Sequence, residues 1–426
     1  MEIAIKILAI IGTIISILYL YKIPLAILGF FATKKFKPAK NQHTYGICVS
    51  ARNEEKVIKN FLDSVAESDY PLDKISVFIL ADNCTDATAK VAKEYNTEKL
   101  NVVVYEYDNP QEKTKGFALK YLFDKIEEDF GRESFDGYYI FDADNVISQN
   151  YLSKMNDSFD AGNKIITSFR NSKNVNQNWI SFSYAMHWMR TCLTENRGKS
   201  LVKLACRVQG TGFLFANELV KNGWMYTSLT EDRSFCTDAV IQNYNITFCD
   251  QAIFYDEQPY KLKVALRQRL RWAKGHLLST IENCPKLISN MFNPKKNFFR
   301  SYDCFFLNFP RHIESVFRKI ISFILKIILA VIATSIFGLL KGVLITYLTG
   351  ILSTWLGDIA VEFFVLMKYR KRVEKGYFFK RIFHILMFPF FDIIGKWCTY
   401  VALFKKVEWK PIPHDTVMDI GKLKNK

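Results

Sequence analysis

Apolar positions follow two regimes along this chain. From Ile3 to Phe31, and again through the last third, they run almost unbroken. Between residues 45 and 260 they come in short bursts separated by helical patterns. Residues 45–51 (YGICVSA) read as a buried strand, and Val57, Ile58, Phe61, Leu62 and Val65 then recur with helical spacing. Residues 75–81 (ISVFILA) form a second such strand, followed by a helix at about 86–95 and a strand over Val102–Tyr105. A helix near 116–129 leads to the strand Tyr138–Phe141. This alternation predicts an α/β domain with an open parallel sheet, in which ligands bind beyond the carboxyl ends of the strands. Glu54, Asp82, Asp142 and Asp144 all fall at that edge. Any one of them serves equally well as a helix cap or turn residue. Their repetition at three strand ends favours a binding rim.

The long apolar runs point to a bilayer. Residues 3–31 carry only Lys6 and Lys22 as charges and can span about 30 Å of hydrocarbon. The run is too long for a signal peptide and lacks a small-x-small cleavage site, so an uncleaved transmembrane helix is expected. Lys34, Lys35, Lys37 and Lys40 place its end in the cytoplasm. Residues 320–340 and 342–367 read as a hairpin that leaves and returns, with Lys368, Arg370, Lys371, Arg372 and Lys375 back on the cytoplasmic side. Asp358 and Glu362 are costly in lipid and should face protein. Residues 377–404 are basic at both ends and contain Pro389 and Asp392, which leaves a broken, re-entrant or interfacial helix open. The stretch 276–319 mixes aromatic and cationic residues, as helices in the headgroup plane do, or as amphipathic helices packed on the domain do. The expected division is therefore 1–32, a transmembrane helix; 41–275, the α/β domain; 276–319, interfacial helices; 320–404, two transmembrane helices and an uncertain third; and 405–426, a cytosolic or interfacial tail.

Charge refines this picture. The 426 residues hold 58 Lys+Arg against 42 Asp+Glu, a net of +16, which invites either nucleic acid or an anionic membrane as partner. Residues 41–260, however, hold 23 basic against 31 acidic residues, a net of −8. The positive excess sits in residues 1–40 and 261–426, next to the apolar runs. An acidic domain suits metal and nucleotide chemistry better than a phosphate backbone, so no nucleic acid is expected. The nine cysteines include no CxxC pair, and a disulfide framework or zinc site is not expected.

Asp142 and Asp144 stand at i and i+2 directly after an apolar strand, where two carboxylates can serve a hard divalent cation. Gly210-Thr211-Gly212 permits close backbone approach to a ligand, or forms a tight turn. Thr230-Glu231-Asp232 follows. Gln268, Arg271 and Trp272 then fall at i, i+3 and i+4 of a basic helical stretch and share one face. Arg can neutralise phosphate and Trp can stack on a sugar. A Trp–Arg pair at the membrane interface is the simpler alternative.

Taken in order, Asp82, Asp142-Ala143-Asp144, Thr230-Glu231-Asp232 and Gln268-x-x-Arg271-Trp272 resemble membrane-integrated family 2 glycosyltransferases. These include the cellulose, hyaluronan, chitin and poly-N-acetylglucosamine synthases. The opening Val49–Glu55, Lys115-Gly116-x-Ala118-Leu119 and the tail Trp409–His414 look similar too. The resemblance implies a GT-A (Rossmann-like) cytosolic domain and a hexosyltransferase that inverts the configuration of a nucleotide-diphosphate sugar, usually a UDP-sugar such as UDP-glucose or UDP-N-acetylglucosamine. By this resemblance Ala51, Arg52, Glu54, Asp82 and Lys115 bind the nucleotide sugar. Asp142 and Asp144 hold Mg²⁺ or Mn²⁺ against the diphosphate. Asp232, beside Glu231, is the general base, and Arg271 pairs with the diphosphate. Gly210, Thr211, Gly212 and Trp272 meet the acceptor, with Gln268 beside them. The acceptor is a growing β-linked glycan or, alternatively, a membrane lipid or short glycan taking a single sugar. With so few helices a channel through one copy would be narrow, so a homodimer or accessory membrane subunit is a further expectation. The implied location is the cell membrane, multi-pass, with the catalytic domain cytoplasmic.

Overall fold

The computed structural model describes residues 1–95, 100–332, 336–412 and 414–423. It begins with α1 (Glu2–Leu18) and α2 (Lys22–Phe31). The single helix expected here is divided by a turn at residues 19–21. Pro24 lies in the first turn of α2, where its missing N–H leaves no intrahelical hydrogen bond unmade.

The α/β domain follows as β1 (Tyr45–Ala51), α3 (Ile58–Ala66), β2 (Ile75–Asp82), α4 (Thr88–Glu94), β3 (Asn101–Tyr107), α5 (Lys115–Asp129) and β4 (Gly137–Asp142). These four strands are parallel, as the sequence pattern predicts. The rest is β5 (Val146–Ile147), α6 (Tyr151–Asp160), β6 (Ile165–Ser172), α7 (Trp179–Thr191), α8 (Gly198–Leu201), β7 (Phe213–Ala216), α9 (Glu231–Ile241) and β8 (Ile246–Asp256). The sheet has eight strands in the order β3-β2-β1-β4-β7-β6-β8-β5. It is mixed, which corrects the expectation of a parallel sheet: β7 runs antiparallel to both β4 and β6. The chain enters β7 at the rim where β4 ends, with Gly212 N–H donating to Ile140 O, so β7 must run back the other way. One face of the sheet packs Val49, Ile79 and Phe141 against Phe61 and Leu62 of α3. The other packs Phe78, Phe213 and Phe215 against Phe123 of α5 and Phe235 of α9. Burial of these apolar side chains is worth roughly 1.5–3 kcal/mol each, before the entropy of ordering is subtracted.

Beyond the sheet lie α10 (Leu262–Met291), α11 (Phe298–Asn308), α12 (Arg311–Ile332), α13 (Ile336–Tyr369) and α14 (Phe378–Phe404). The expected boundary at 275/276 falls inside α10, so the helix that bears Gln268 and Arg271 continues unbroken into the expected interfacial region. Among the described residues, three stretches are long and apolar enough to cross a membrane: Glu2–Phe31, Lys341–Tyr369 and Phe378–Phe404. Of the span expected over 320–340, residues 320–332 lie in α12, which carries Lys326, residues 333–335 lie outside the described residues, and the remainder opens α13. Residues 378–404 form one continuous helix through Pro389.

Asp358 and Glu362 do face protein. Arg190, from α7, reaches between α13 and α14 with its guanidinium 3.2 Å from Glu362, 3.6 Å from Asp358 and 3.9 Å from Asp392. The Glu362 side chain is fully buried. One arginine of the α/β domain thus ties both C-terminal spans to it.

Candidate active site

The acidic strand ends converge on one cavity of about 530 Å³ at the carboxyl edge of the sheet. Asp82 closes β2 and is held by Arg52, whose guanidinium pairs with its carboxylate and also donates to its backbone oxygen at 3.0 Å. Burial raises the Asp82 carboxyl above its usual value, with Arg52 and Asn83 opposing the shift. The Arg52 guanidinium also lies over the ring of Trp409, 4.5 Å from its centroid. Ala51, by contrast, is buried in the core, and its carbonyl accepts from the Cys84 thiol at 3.3 Å.

Asp142 ends β4 and pairs with Lys115 at the start of α5; Lys115 also donates to Gly210 O at 3.1 Å. Burial works against the Lys115 charge, yet Asp142 and Glu231 outweigh it and hold the ammonium above its usual value. Asp144 is buried; Asn145 donates to one carboxylate oxygen at 3.0 Å and Glu257 N–H to the other at 2.8 Å. Burial would raise its carboxyl, but His414, Lys173 and that backbone donor hold it below the usual value. Glu54 accepts from His414 at 2.8 Å through one oxygen, and the other is buried without a partner. Burial pushes the Glu54 carboxyl up to about 7 despite His414.

The tail after α14 straps this edge. Lys56 pairs with Asp415 at 2.7 Å, and Glu257 accepts from Asp415 N–H at 2.9 Å and Thr416 N–H at 2.7 Å. Asn60 and Met418 exchange two hydrogen bonds of 2.9 Å. Trp409, Pro411, Ile412 and His414 thereby line the cavity.

The Gly-Thr-Gly turn mostly serves the fold. Thr211 accepts from Asp142 N–H at 2.9 Å and donates to Asn145, which fixes the acidic turn. A Cβ on Gly212 would stand 2.3 Å from the Phe254 ring. Gly210 alone of the three lines the cavity.

Thr230-Glu231-Asp232 opens α9, where a helix N-terminus favours negative charge. Glu231 is buried, and burial together with Asp232 pushes its carboxyl up to about 7. Asp232 is half-buried and makes no hydrogen bond or ion pair among the described residues. It is a carboxylate aimed into the cavity with its oxygens free to accept.

Helix α10 passes directly over this turn. A Cβ at Gly275 would sit 2.5 Å from Thr230 Cγ2, so only glycine admits the contact. Arg271 donates to Leu229 O at 2.8 Å. Trp272 packs edge-on to Tyr184 and Trp188, with centroids 5.9 and 5.5 Å away, and still borders the cavity. Gln268 Oε1 and Thr230 Oγ1 are buried without hydrogen-bond partners among the described residues, and both residues line the cavity.

One cavity thus gathers Arg52, Glu54, Asp82, Lys115, Asp142, Asp144, Gly210, Glu231, Asp232, Gln268, Arg271 and Trp272. Ala51, Thr211 and Gly212 are not among its lining residues. Sequence reasoning assigned no role to Glu257, Arg207 or Arg233, and linked the tail only by resemblance. No three acidic, His or Cys side chains among the described residues group as a metal cage. Asp142 and Asp144 instead fit a hard cation that takes its other ligands from phosphate and water.

Comparison with known proteins bears on the family and the fold. The family model described as glycosyltransferase like family 2 matches residues 43–275. The Bacillus subtilis (strain 168) protein named probable glycosyltransferase YdaM is 23% identical over 286 residues, covering 61% of this chain. The chain spans 62% of the length of that relative. Among solved structures, the mannosyltransferase PcManGT from Pyrobaculum calidifontis, in complex with GDP-Man and Mn²⁺, superposes with a TM-score of 0.55 at 16% identity. That match covers 85% of this chain and 99% of PcManGT, and it supports a GT-A-like fold.

Proposed function

The chain belongs to glycosyltransferase-like family 2, and on that premise we propose that it is a membrane-bound inverting hexosyltransferase. Its donor is a nucleotide-diphosphate sugar, UDP-glucose or UDP-N-acetylglucosamine, and it extends a β-linked glycan that leaves across the membrane, through a homodimer or with an accessory subunit. The positive charge of residues 34–40 and 368–375 supports a cytoplasmic catalytic domain in a multi-pass protein.

The observation that carries this reading is the free carboxylate of Asp232, in one cavity with Arg271 and the acidic pair. Asp82 and Arg52 hold the nucleoside. Mg²⁺ or Mn²⁺ on Asp142 and Asp144 would offset the charge of the donor diphosphate. Asp232 takes the proton of the acceptor hydroxyl as its oxygen bonds to the anomeric carbon. Arg271 faces the departing diphosphate, where negative charge develops. Gln268 and Trp272 orient the acceptor sugar. Lys115 holds Asp142 and, through Gly210, the turn beneath the acceptor.

A second reading, single transfer to a membrane lipid or short glycan, is favoured by the arginines that line the cavity. Radiolabelled UDP-glucose, UDP-N-acetylglucosamine, UDP-glucuronate and GDP-mannose, offered to the purified protein in lipid, test the donor and the product together. The proposal expects release of nucleotide diphosphate from a UDP-sugar and a polymeric product. Single-sugar lipid products would support the second reading, and no turnover of any donor would contradict both.

A further inference from the structure

The cavity that holds the acidic strand ends is also lined by arginines and by residues of α14. Arg207, Arg233, Arg269 and Arg271 all line it, and among the described residues none forms an ion pair. Arg269 donates to Phe391 O at 2.6 Å and Arg271 to Leu229 O, both neutral acceptors. Arg233 donates to the Asn308 side chain at 3.0 Å. The Arg207 guanidinium makes no hydrogen bond or ion pair among the described residues. Burial and the neighbouring Arg207 push Arg233 down to about 10, a sign of crowded positive charge. The nearby Glu195 is shared with Lys199, 3.9 Å away, and so offsets only part of that charge.

Asp232, Glu195 and Asp392 face these arginines without forming an ion pair with them, so Arg207 and Arg233 keep donors free for a phosphate-like anion. The donor diphosphate does not account for all of them. Arg233 follows Asp232 on α9 and therefore points roughly 100° away from it around the helix, towards Asn308 at the end of α11.

The same cavity borders the spans. Lys396 lines it and also lines a second cavity of about 1050 Å³ between α1, α12, α13 and α14. Leu8, Phe323, Val343, Ile351, Trp355 and Ile393 give that groove an apolar wall, and Lys319 and Lys326 border it without ion pairs among the described residues. A typical small-molecule pocket is roughly 300–1,000 Å³, so the groove is large enough for hydrocarbon chains.

We propose that the acceptor is an anionic lipid, with its phosphate group seated on Arg207 and Arg233 and its chains in the groove beside Lys396. This rests on the second reading above and names its acceptor class. A hydroxyl of the headgroup then reaches Asp232. The hydroxyl gives its proton to the carboxylate, its oxygen bonds to the anomeric carbon, and the sugar–diphosphate bond breaks with its electron pair on the departing nucleotide diphosphate.

Binding to the purified full-length protein in detergent, followed by native mass spectrometry, tests this independently of turnover. The probes are dioleoylphosphatidylglycerol, dioleoylglycerol and glycerol 3-phosphate. Loss of a charge-assisted contact predicts that phosphatidylglycerol binds about tenfold more tightly than dioleoylglycerol, and that Arg207→Gln with Arg233→Gln removes the advantage. Arg207→Lys should restore part of it, and melting temperature and nucleotide-sugar affinity should stay at wild-type values. Equal binding of both lipids, or wild-type binding by the double variant, would overturn the proposal. Glycerol 3-phosphate binding as tightly as the lipid would overturn its lipid half. A protein that binds the lipid yet turns over no donor would retain this inference and lose the proposed activity.

Discussion

At the scale of single residues, the account turns on two adjacent carboxylates with different environments. Asp232 makes no hydrogen bond or ion pair among the described residues, while Glu231 is buried and pushed up to about 7 by burial and by Asp232. Asp232→Asn should leave donor affinity close to wild type and lower kcat by about 10²–10⁴. Titration calorimetry with the donor and a steady-state assay measure the two quantities separately. Glu231 gives a prediction in pH. Its folded value lies above its ordinary value of 4.5, so the folded protein holds the proton more firmly than the unfolded chain. Stability is therefore lost as pH rises from about 4.5 to about 7 and stays lost above that. Glu231→Gln removes the titrating group. It should melt a few degrees above wild type at pH 8, at about 2–4 °C per kcal/mol regained, and show little difference at pH 4. A shift of the same size at both values would contradict the assignment.

At the scale of elements, the tail and helix α10 decide how the rim works. The tail supplies Trp409 beneath Arg52 and His414 on Glu54, so it forms one wall of the cavity. Trp409→Ala should raise the donor KM about 5–30-fold with a smaller change in kcat, since a partly desolvated cation–π contact is worth roughly 1–2 kcal/mol. An unchanged KM would place Trp409 outside the donor site. Much of the rim is legible in the sequence because it follows from local rules. A buried strand ending in acid puts that acid at the carboxyl edge, and i, i+3, i+4 spacing puts Gln268, Arg271 and Trp272 on one face. Contacts between distant segments carry no such signal. Glu54 and His414 are 360 residues apart, and only folding makes them a pair. The Gly-Thr-Gly turn carries no such signal either: glycine flanking threonine looks alike in sequence whether it cradles a ligand or fits under a ring, as Gly212 does under Phe254. The direction of β7 was equally hidden, because strand patterning gives no orientation.

At the scale of the whole molecule, the charge pattern becomes a division of labour. The acidic domain holds the cavity, and the flanking helices carry the positive charge and the apolar length needed to cross a membrane. Arg190 joins the two parts through Asp358, Glu362 and Asp392. Arg190→Leu removes the cation facing Asp358 and buried Glu362, while Asp392 keeps Lys396 at 2.7 Å, and should destabilise the protein by about 3–5 kcal/mol. Unfolding in detergent should show it, and wild-type stability would mean the cluster contributes nothing. The central claim is direct displacement at the anomeric carbon with Asp232 as base. It is tested most directly by the configuration of the new linkage, read by NMR on product made from an α-configured, ¹³C-labelled UDP-sugar. The account predicts a β linkage; an α linkage would contradict it.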